Sequence, residues 1–249
     1  MGWLIELAKR TDRRLIVRLV KGAYWDTEVK HAQAEGFEDY PVFTTKSATD
    51  VSYLACARTL LDAPNEIYCQ FATHNAHSLA SILQMTDETT EFEFQRLHGM
   101  GDLLYKTARG IADYPIRCRI YAPVGSHEDL LPYLVRRLLE NGANSSFVHS
   151  FLDDHVPVEV TVKEPLAAFE GAGYWRHPGI PLPRDLFGNV RANSAGLDLT
   201  DGATAAELQK SVDAVKTEDL AAAPIIGGKE LSGDRVSVDN PARKDSVAG

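Results

Sequence analysis

Cysteine is scarce: Cys56, Cys69 and Cys118 are the three in 249 residues, an odd count without the paired spacing of zinc ligands. That pattern argues against a disulfide framework and points to reduced thiols in the cytoplasm, two of them lying in apolar runs as small core residues. Long hydrophobic runs are missing too. No stretch approaches the ~20 apolar residues of a membrane-spanning helix, and Met1-Gly2-Trp3, followed by Glu6, Lys9 and Arg10, is no signal peptide. Positive charge is in deficit: the formal net charge is -9 and no basic run exceeds a few residues. Non-specific binding of nucleic acid or anionic membrane is thereby disfavoured, and an anionic ligand needs a local basic pocket. There is no Gly-x-Ser-x-Gly elbow and no low-complexity tract, and Gly171-Ala172-Gly173 is too short for a dinucleotide fingerprint. The chain opens inside a helix-like pattern without a cap, so Met1 is not expected to be the true start of the domain.

What is present is 44% hydrophobic residues, ample for a core, arranged as an alternation of strand and helix. Leu15 to Val20 is a short, nearly continuous apolar run of the kind a doubly covered parallel strand shows. A loop containing Thr44-Thr45-Lys46-Ser47 leads to a helix marked by Val51, Tyr53, Ala57 and Leu60. Strands follow at 66–72, 92–97 and 116–121, with helices at 76–85 and 102–108, and Ser126 caps a last helix whose first turn carries Glu128 and Asp129. Strand–helix units in succession, without hairpin signals, predict a parallel α/β sheet, either half of an eight-fold barrel or most of a doubly wound sheet. In both, ligands bind at the carboxyl ends of the strands. Beyond about Asp153, prolines and glycines break the periodicity into a linker, one helix runs from Ala203 to about Ala214, and Pro224 to Pro241 reads as short strands of something unfinished.

The carboxyl ends carry Lys21-Gly22, Thr73-His74-Asn75, Leu97-His98-Gly99 and Tyr121. His74 and His98 have no carboxylate or thiolate at ligand spacing, so no metal is assigned and a hydrogen-bonding role is expected. Arg18 interrupts an apolar strand, either as a solvated edge residue or as an inward cation that holds an anion or a cofactor edge. Lys21-Gly22-Ala23 can bring amides and an ammonium to a phosphate, and Thr44-Thr45-Lys46-Ser47 adds hydroxyls and a second ammonium. In the last helix Arg136 and Arg137 stand one turn before Glu140, which is either a solvated face of intrahelical ion pairs or a carboxylate fork beside a group for a cation. Tyr24, Leu97, Tyr121 and Tyr133 would wall the centre, or serve as core.

The strings Arg18-Leu19-Val20-Lys21-Gly22-Ala23-Tyr24-Trp25-Asp26, Gln70-Phe71-Ala72-Thr73-His74-Asn75, Phe94-Gln95-Arg96-Leu97-His98-Gly99-Met100 and Tyr133 to Phe147 resemble the flavin-dependent proline dehydrogenase family over residues 1–155, in particular its bifunctional bacterial members. The resemblance implies the second half of a (β/α)8 barrel, four strand–helix units and the final helix, with FAD at the carboxyl ends. It implies Arg18 on the flavin N5 side, and Val20, Lys21, Gly22, Ala23, Tyr24, Trp25, Thr44, Lys46, Thr73, His74, Asn75, Gln95 and Leu97 against the cofactor, with Ser146 and Phe147 closing over it. Arg136 and Arg137 would grip the carboxylate of L-proline, Glu140 would sit near the ring nitrogen, and Tyr24, Leu97, Tyr121 and Tyr133 would pack the ring. Hydride transfer to the flavin would give 1-pyrroline-5-carboxylate, and a quinone would accept the electrons. The chemistry would belong to the cofactor and the orientation to the protein.

The family's earlier strands, with a lysine and an aspartate near the substrate, have no counterpart in the chain. Residues 156–202 resemble a linker and 203–249 the start of an aldehyde dehydrogenase domain, without its catalytic cysteine. The full-length protein is expected to be cytoplasmic, with peripheral association at the inner membrane arising only there; no nucleic acid is expected to bind this segment. An alternative is a non-catalytic half-module that docks with a separately encoded barrel half or with an aldehyde dehydrogenase; another is an unrelated parallel α/β enzyme for a phosphorylated acid. Half a barrel leaves strand edges and apolar surface unpaired, so the isolated chain is expected to bind FAD poorly and be inactive. Purification of the chain by itself, followed by a visible spectrum, tests this, and stoichiometric flavin would contradict it.

Overall fold

The computed structural model describes residues 1–22, 24–142, 164–215, 221–234 and 236–247, and within them not the side chains of 138–142 and 244. Helix α1 (Gly2–Thr11) stops at Asp12, a left-handed residue with φ 50°, a conformation that aspartate tolerates. The turn delivers the chain into β1 (Leu15–Val20). Strands β2 (Ile67–Ala72), β3 (Phe92–Leu97) and β4 (Cys118–Tyr121) follow, and the sheet order is β1-β2-β3-β4, parallel throughout. The strand expected from Ile116 begins its ladder later. Arg117 still offers its carbonyl to Phe94 N at 2.9 Å, while Ile116 is buried in the core. The result is an open parallel α/β sheet; closure into a barrel is not seen among the described residues, where neither β1 nor β4 has a further strand at its outer edge.

The segment between Trp25 and Lys46, read from the sequence as a loop, contains α2 (Trp25–Glu35). Its buried residues are only Val29, Ala32 and Gln33, too small an apolar stripe to register as a periodic signal. Helices α3 (Lys46–Leu61), α4 (Ala76–Gln84), α5 (Asp102–Ile111) and α6 (His127–Gly142) connect the strands or follow the last. Asn75 caps α4 by accepting from Ser78 N at 2.8 Å, and Ser126 caps α6 by accepting from Asp129 N at 3.2 Å, the position the sequence assigns to it.

The sheet has two unlike faces because side chains alternate along each strand. On the helix side, Ile67, Cys69 and Phe71 of β2 and Phe92 and Phe94 of β3 pack with Tyr53, Ala57 and Leu60 of α3, Leu79 and Ile82 of α4, and Tyr105 and Ala108 of α5. Ring centroids lie 5.9 Å apart for Phe71–Phe92, 5.3 Å for Phe92–Phe94 and 5.8 Å for Phe94–Tyr105; such edge contacts add about 1 kcal/mol each beyond area burial. The opposite face carries Arg18, Gln70, Glu93, Gln95, Arg119 and Tyr121, with Ile16 67% exposed beside them.

After residue 163, α7 (Pro165–Ala172) packs on α3. The chain then runs as a strap along α2. Arg176 pairs with Asp39, Tyr40 Oη donates to Pro181 O at 2.6 Å, Asn193 Nδ2 donates to Gln33 O at 2.8 Å, and Gly196 N donates to Gly36 O at 3.0 Å. The two backbones meet so closely that a Cβ on Gly36 would lie 1.8 Å from Ser194 O, and one on Gly196 1.9 Å from Glu35 O. Helix α8 (Gly202–Asp213), capped by Asp201, buries no side chain, and two antiparallel hairpins follow, β5 (Ile225–Ile226) with β6 (Lys229–Glu230) and β7 (Asp239–Asn240) with β8 (Arg243–Val247). No helix among the described residues is long and apolar enough to cross a membrane.

Gly196→Ala should therefore lift the strap, costing about 2 kcal/mol and speeding amide exchange across residues 36–45. Gly2→Ala, in open space, should change neither; hydrogen-exchange mass spectrometry reads both.

Candidate functional site

The site is built at the carboxyl ends of the strands, where the backbone leaves the sheet. Tyr105, buried in the core, donates its hydroxyl to Thr73 O at 2.9 Å, and Thr73 Oγ1 accepts from Asn75 N at 3.0 Å, so the turn after β2 is held from beneath. The His74 ring in that turn reaches across to β3, where its Nε2 accepts from Leu97 N at 3.2 Å. A nitrogen that accepts carries no proton, so the ring is neutral with its hydrogen on Nδ1. Burial first, then the charges of Arg96 and Arg137, hold its pKa below the ordinary value. His98 is exposed and contributes its backbone N–H to Tyr121 O at 2.8 Å.

A basic cluster lies beyond β1 and β2. Lys21 Nζ donates to Asp50 Oδ1 at 2.5 Å and to Ser78 Oγ at 2.9 Å, and sits 5.2 Å from the Tyr53 ring centroid. Lys46 Nζ donates to Asp50 Oδ2 at 2.5 Å. Burial lowers the Lys21 pKa despite the neighbouring carboxylate. For Asp50, burial acts upward, but the charges and hydrogen bonds of both lysines outweigh it and leave the carboxyl below its usual range. The two ammoniums thus share one carboxylate, and the cluster keeps one positive charge. Within it, Thr45 Oγ1 and the Tyr53 hydroxyl are buried without a partner among the described residues, while Thr44 Oγ1 accepts from His177 N of the strap at 3.0 Å. Uncommitted donors beside residual positive charge fit a phosphorylated, anionic group.

Across the open face, Arg18 Nε donates to Gln95 Oε1 at 2.8 Å, and its guanidinium carbon stands 5.2 Å from the Tyr121 ring centroid. Tyr121 has its pKa raised by burial and by Tyr133, with Arg18 and Arg137 opposing. On α6, Arg137 stacks on Tyr133 at 5.4 Å and Arg136 on Tyr24 at 5.5 Å. The second contact ties α6 to the start of α2. Ring faces orient guanidinium groups while their N–H donors stay in the plane.

The structure brings together Arg18, Gln95, Leu97, Tyr121, Tyr133, Arg137 and His74 on one side, Arg136 with Tyr24 beside them, and Lys21, Thr44 and Lys46 on the other. Val20 and Gly22 are exposed, and Trp25 turns its ring N–H to Phe43 O at 2.8 Å. Ala23, Ser146 and Phe147 lie outside the described residues, as does the Glu140 side chain. Two residues not singled out from the sequence organise the rest: Asp50, whose Lys46 partner at i−4 was a legible signal, and Glu93, the acceptor between Gln95 and Arg119.

Residues 1–150 match the family described as Proline dehydrogenase. The chain belongs to the proline dehydrogenase family. It is 51% identical over 261 residues to the bifunctional protein PutA of Klebsiella aerogenes, covering 100% of this chain and 20% of that protein. A crystal structure of bifunctional proline utilization A is similar with a TM-score of 0.82 and 50% identity, over 90% of this chain and 23% of the other. A variant of PutA from Bradyrhizobium japonicum gives a TM-score of 0.79 at 52% identity, over 86% and 22%. The chain thus spans about a fifth of the length of the curated relatives it first matches.

The neutral His74 of this member of the proline dehydrogenase family makes stability depend on pH. Its folded pKa lies below the 6.5 of the free group, so the unfolded state takes up the proton first. The stabilisation is full above pH 6.5 and declines as pH falls from there towards the folded pKa. His74→Gln keeps an acceptor for Leu97 N but does not titrate. Thermal melts between pH 5 and 8 should show a smaller acid-side drop in Tm for the variant than for the parent.

Proposed function

We propose that residues 1–155 form the C-terminal half of a FAD-binding (β/α)8 barrel that oxidises L-proline to 1-pyrroline-5-carboxylate within a longer protein. Residues 156–202 act as linker, and 203–249 open an aldehyde dehydrogenase-like domain. Family membership supports the chemistry, and the outer edges of β1 and β4, bare among the described residues, support further strands on either side. Helix α8, without a buried side chain, supports a tail that packs on a partner domain, and a quinone is the proposed acceptor of electrons.

The observation that carries the reading is the set of guanidinium groups stacked on tyrosines around one end of the sheet: Arg18 on Tyr121, Arg136 on Tyr24 and Arg137 on Tyr133. When bound, the flavin supplies the hydride acceptor. Lys21 and Lys46, with Thr44, would hold its phosphorylated part, and the turn of Thr73, His74 and Asn75 would line the cofactor between them and Arg18. Arg18, held by Gln95, would lie toward its reactive edge, and Leu97, Tyr24, Tyr121 and Tyr133 would exclude water from the substrate ring. Arg136 and Arg137 take the proline carboxylate as a charge-assisted pair, and the family resemblance alone assigns Glu140, whose side chain lies outside the described residues, to the ring nitrogen. The role of the chain is to bind and orient.

A second reading, a non-catalytic module that docks a separately encoded barrel half, draws on the 67% exposure of Ile16 and on strand edges that are bare among the described residues. Co-production with the missing half separates the two, because restored proline:dye reductase activity favours catalysis. In the restored enzyme, changing Arg136 and Arg137 together to Met should lower kcat/KM for proline about 100-fold or more, mostly through KM, each lost charged hydrogen bond costing about 1.5–3 kcal/mol. An unchanged KM would overturn the proposal.

A further inference from the structure

Arg18 and Gln95 sit on strands that are not neighbours. The strand between them, β2, places Ala72 in register with Val20 on one side and Gln95 on the other, and this short side chain lets the guanidinium reach the amide across it. Gln95 is anchored in turn. Its Nε2 donates to Glu93 Oε1 at 2.9 Å, and an ionised carboxylate can only accept, so the Gln95 carbonyl oxygen is left facing Arg18 Nε at 2.8 Å. Glu93 is 5% exposed and is fixed by Gln70 Nε2 at 2.8 Å and by Arg119 through Nε at 2.7 Å and Nη2 at 2.8 Å. All four of these bonds favour the charged carboxylate.

We propose that Glu93 is a positioning residue for Arg18: through the Gln95 amide it fixes the Nε edge of the guanidinium, which sets the other edge towards the bound flavin. Nothing in the assignment of site residues above requires Glu93, which touches neither Arg18 nor the tyrosines around it. The chain of contacts gives it a defined reach, from Arg119 on β4 through β3 to β1. It also explains two small features: Ala72 in the middle strand and the bidentate grip of Arg119, which keeps the carboxylate from turning.

The proposal rests on Arg18 facing the flavin, and its test is made in the flavin-loaded enzyme assembled from this chain and the rest of its barrel. Arg18→Met, Glu93→Leu, Gln95→Leu, Glu93→Gln and the double variant Arg18→Met/Glu93→Leu are compared by flavin absorbance, midpoint potential and proline kinetics. Glu93→Leu and Gln95→Leu should shift the flavin spectrum and potential in the same direction as Arg18→Met. Each should slow flavin reduction on the order of tenfold, about 1.4 kcal/mol, with KM for proline within about twofold. In the double variant Glu93→Leu should add little to Arg18→Met. Glu93→Gln, which keeps an acceptor oxygen for Gln95, should recover most of the rate. If Arg18→Met itself leaves spectrum and potential unchanged, the placement of Arg18 is wrong. If Arg18→Met shifts them while Glu93→Leu does not, or the two effects add in full, Glu93 has no positioning role. Where Glu93→Leu fails to fold, Gln95→Leu and Ala72→Val, which block the same relay, decide the matter in the same way.

Discussion

A carboxylate fixed on the face of a sheet and shielded from water must be met by donors, because an unpaired buried charge costs several kcal/mol. In this chain that requirement falls on Glu93, and it is met from three strands: Gln70 of β2, Gln95 of β3 and Arg119 of β4. The side-chain bonds link β2, β3 and β4 across the sheet, alongside its backbone ladder. The Glu93 pKa is lowered chiefly by the bond from Arg119, against the effect of burial, so the charge that organises the face is present throughout the neutral range.

The two faces answer to different physics and meet at the carboxyl ends. Beneath the sheet, Phe71, Phe94 and Tyr105 interlock, and the hydroxyl of Tyr105 passes out of that core to the Thr73 carbonyl. The turn that bears His74 and Asn75 is therefore tied to the most buried part of the molecule. Above the sheet, Arg18 and Tyr121 lie in a row supported by Gln95. A site built this way depends on register: a slip of one residue in β3 would send Glu93 and Gln95 into the apolar core and Phe94 to the polar face.

How much of this could be read from the sequence follows from the range of each contact. Strands announced by local apolar runs, such as Leu15 to Val20 and Glu66 to Ala72, stand within a residue of where the sequence implies, and so do caps such as Ser126, whose partner lies three positions away. Arg18 was conspicuous because a cation interrupts an apolar run. Helix α2 was invisible, since its few buried residues are covered by a strap more than a hundred residues downstream. Glu93 was equally hidden. In Phe92-Glu93-Phe94-Gln95 the alternation marks a polar face, but that the carboxylate meets Arg119 requires the β3–β4 register. Lys21 and Lys46 each read as a phosphate ligand, and their common tie to Asp50 spans two elements. Membership of the proline dehydrogenase family needed none of these contacts, because it rests on long residue strings.

The interlock of Gly36 with Gly196, and the Asn193–Gln33 bond that spans 160 positions, bear on the order in which the molecule is made. At roughly 5–20 residues per second of synthesis, the sheet and its helices leave the ribosome several seconds before the strap does. The loop bearing Thr44 is thus clasped only after the sheet beside it has emerged, and until then it is open to cellular proteases.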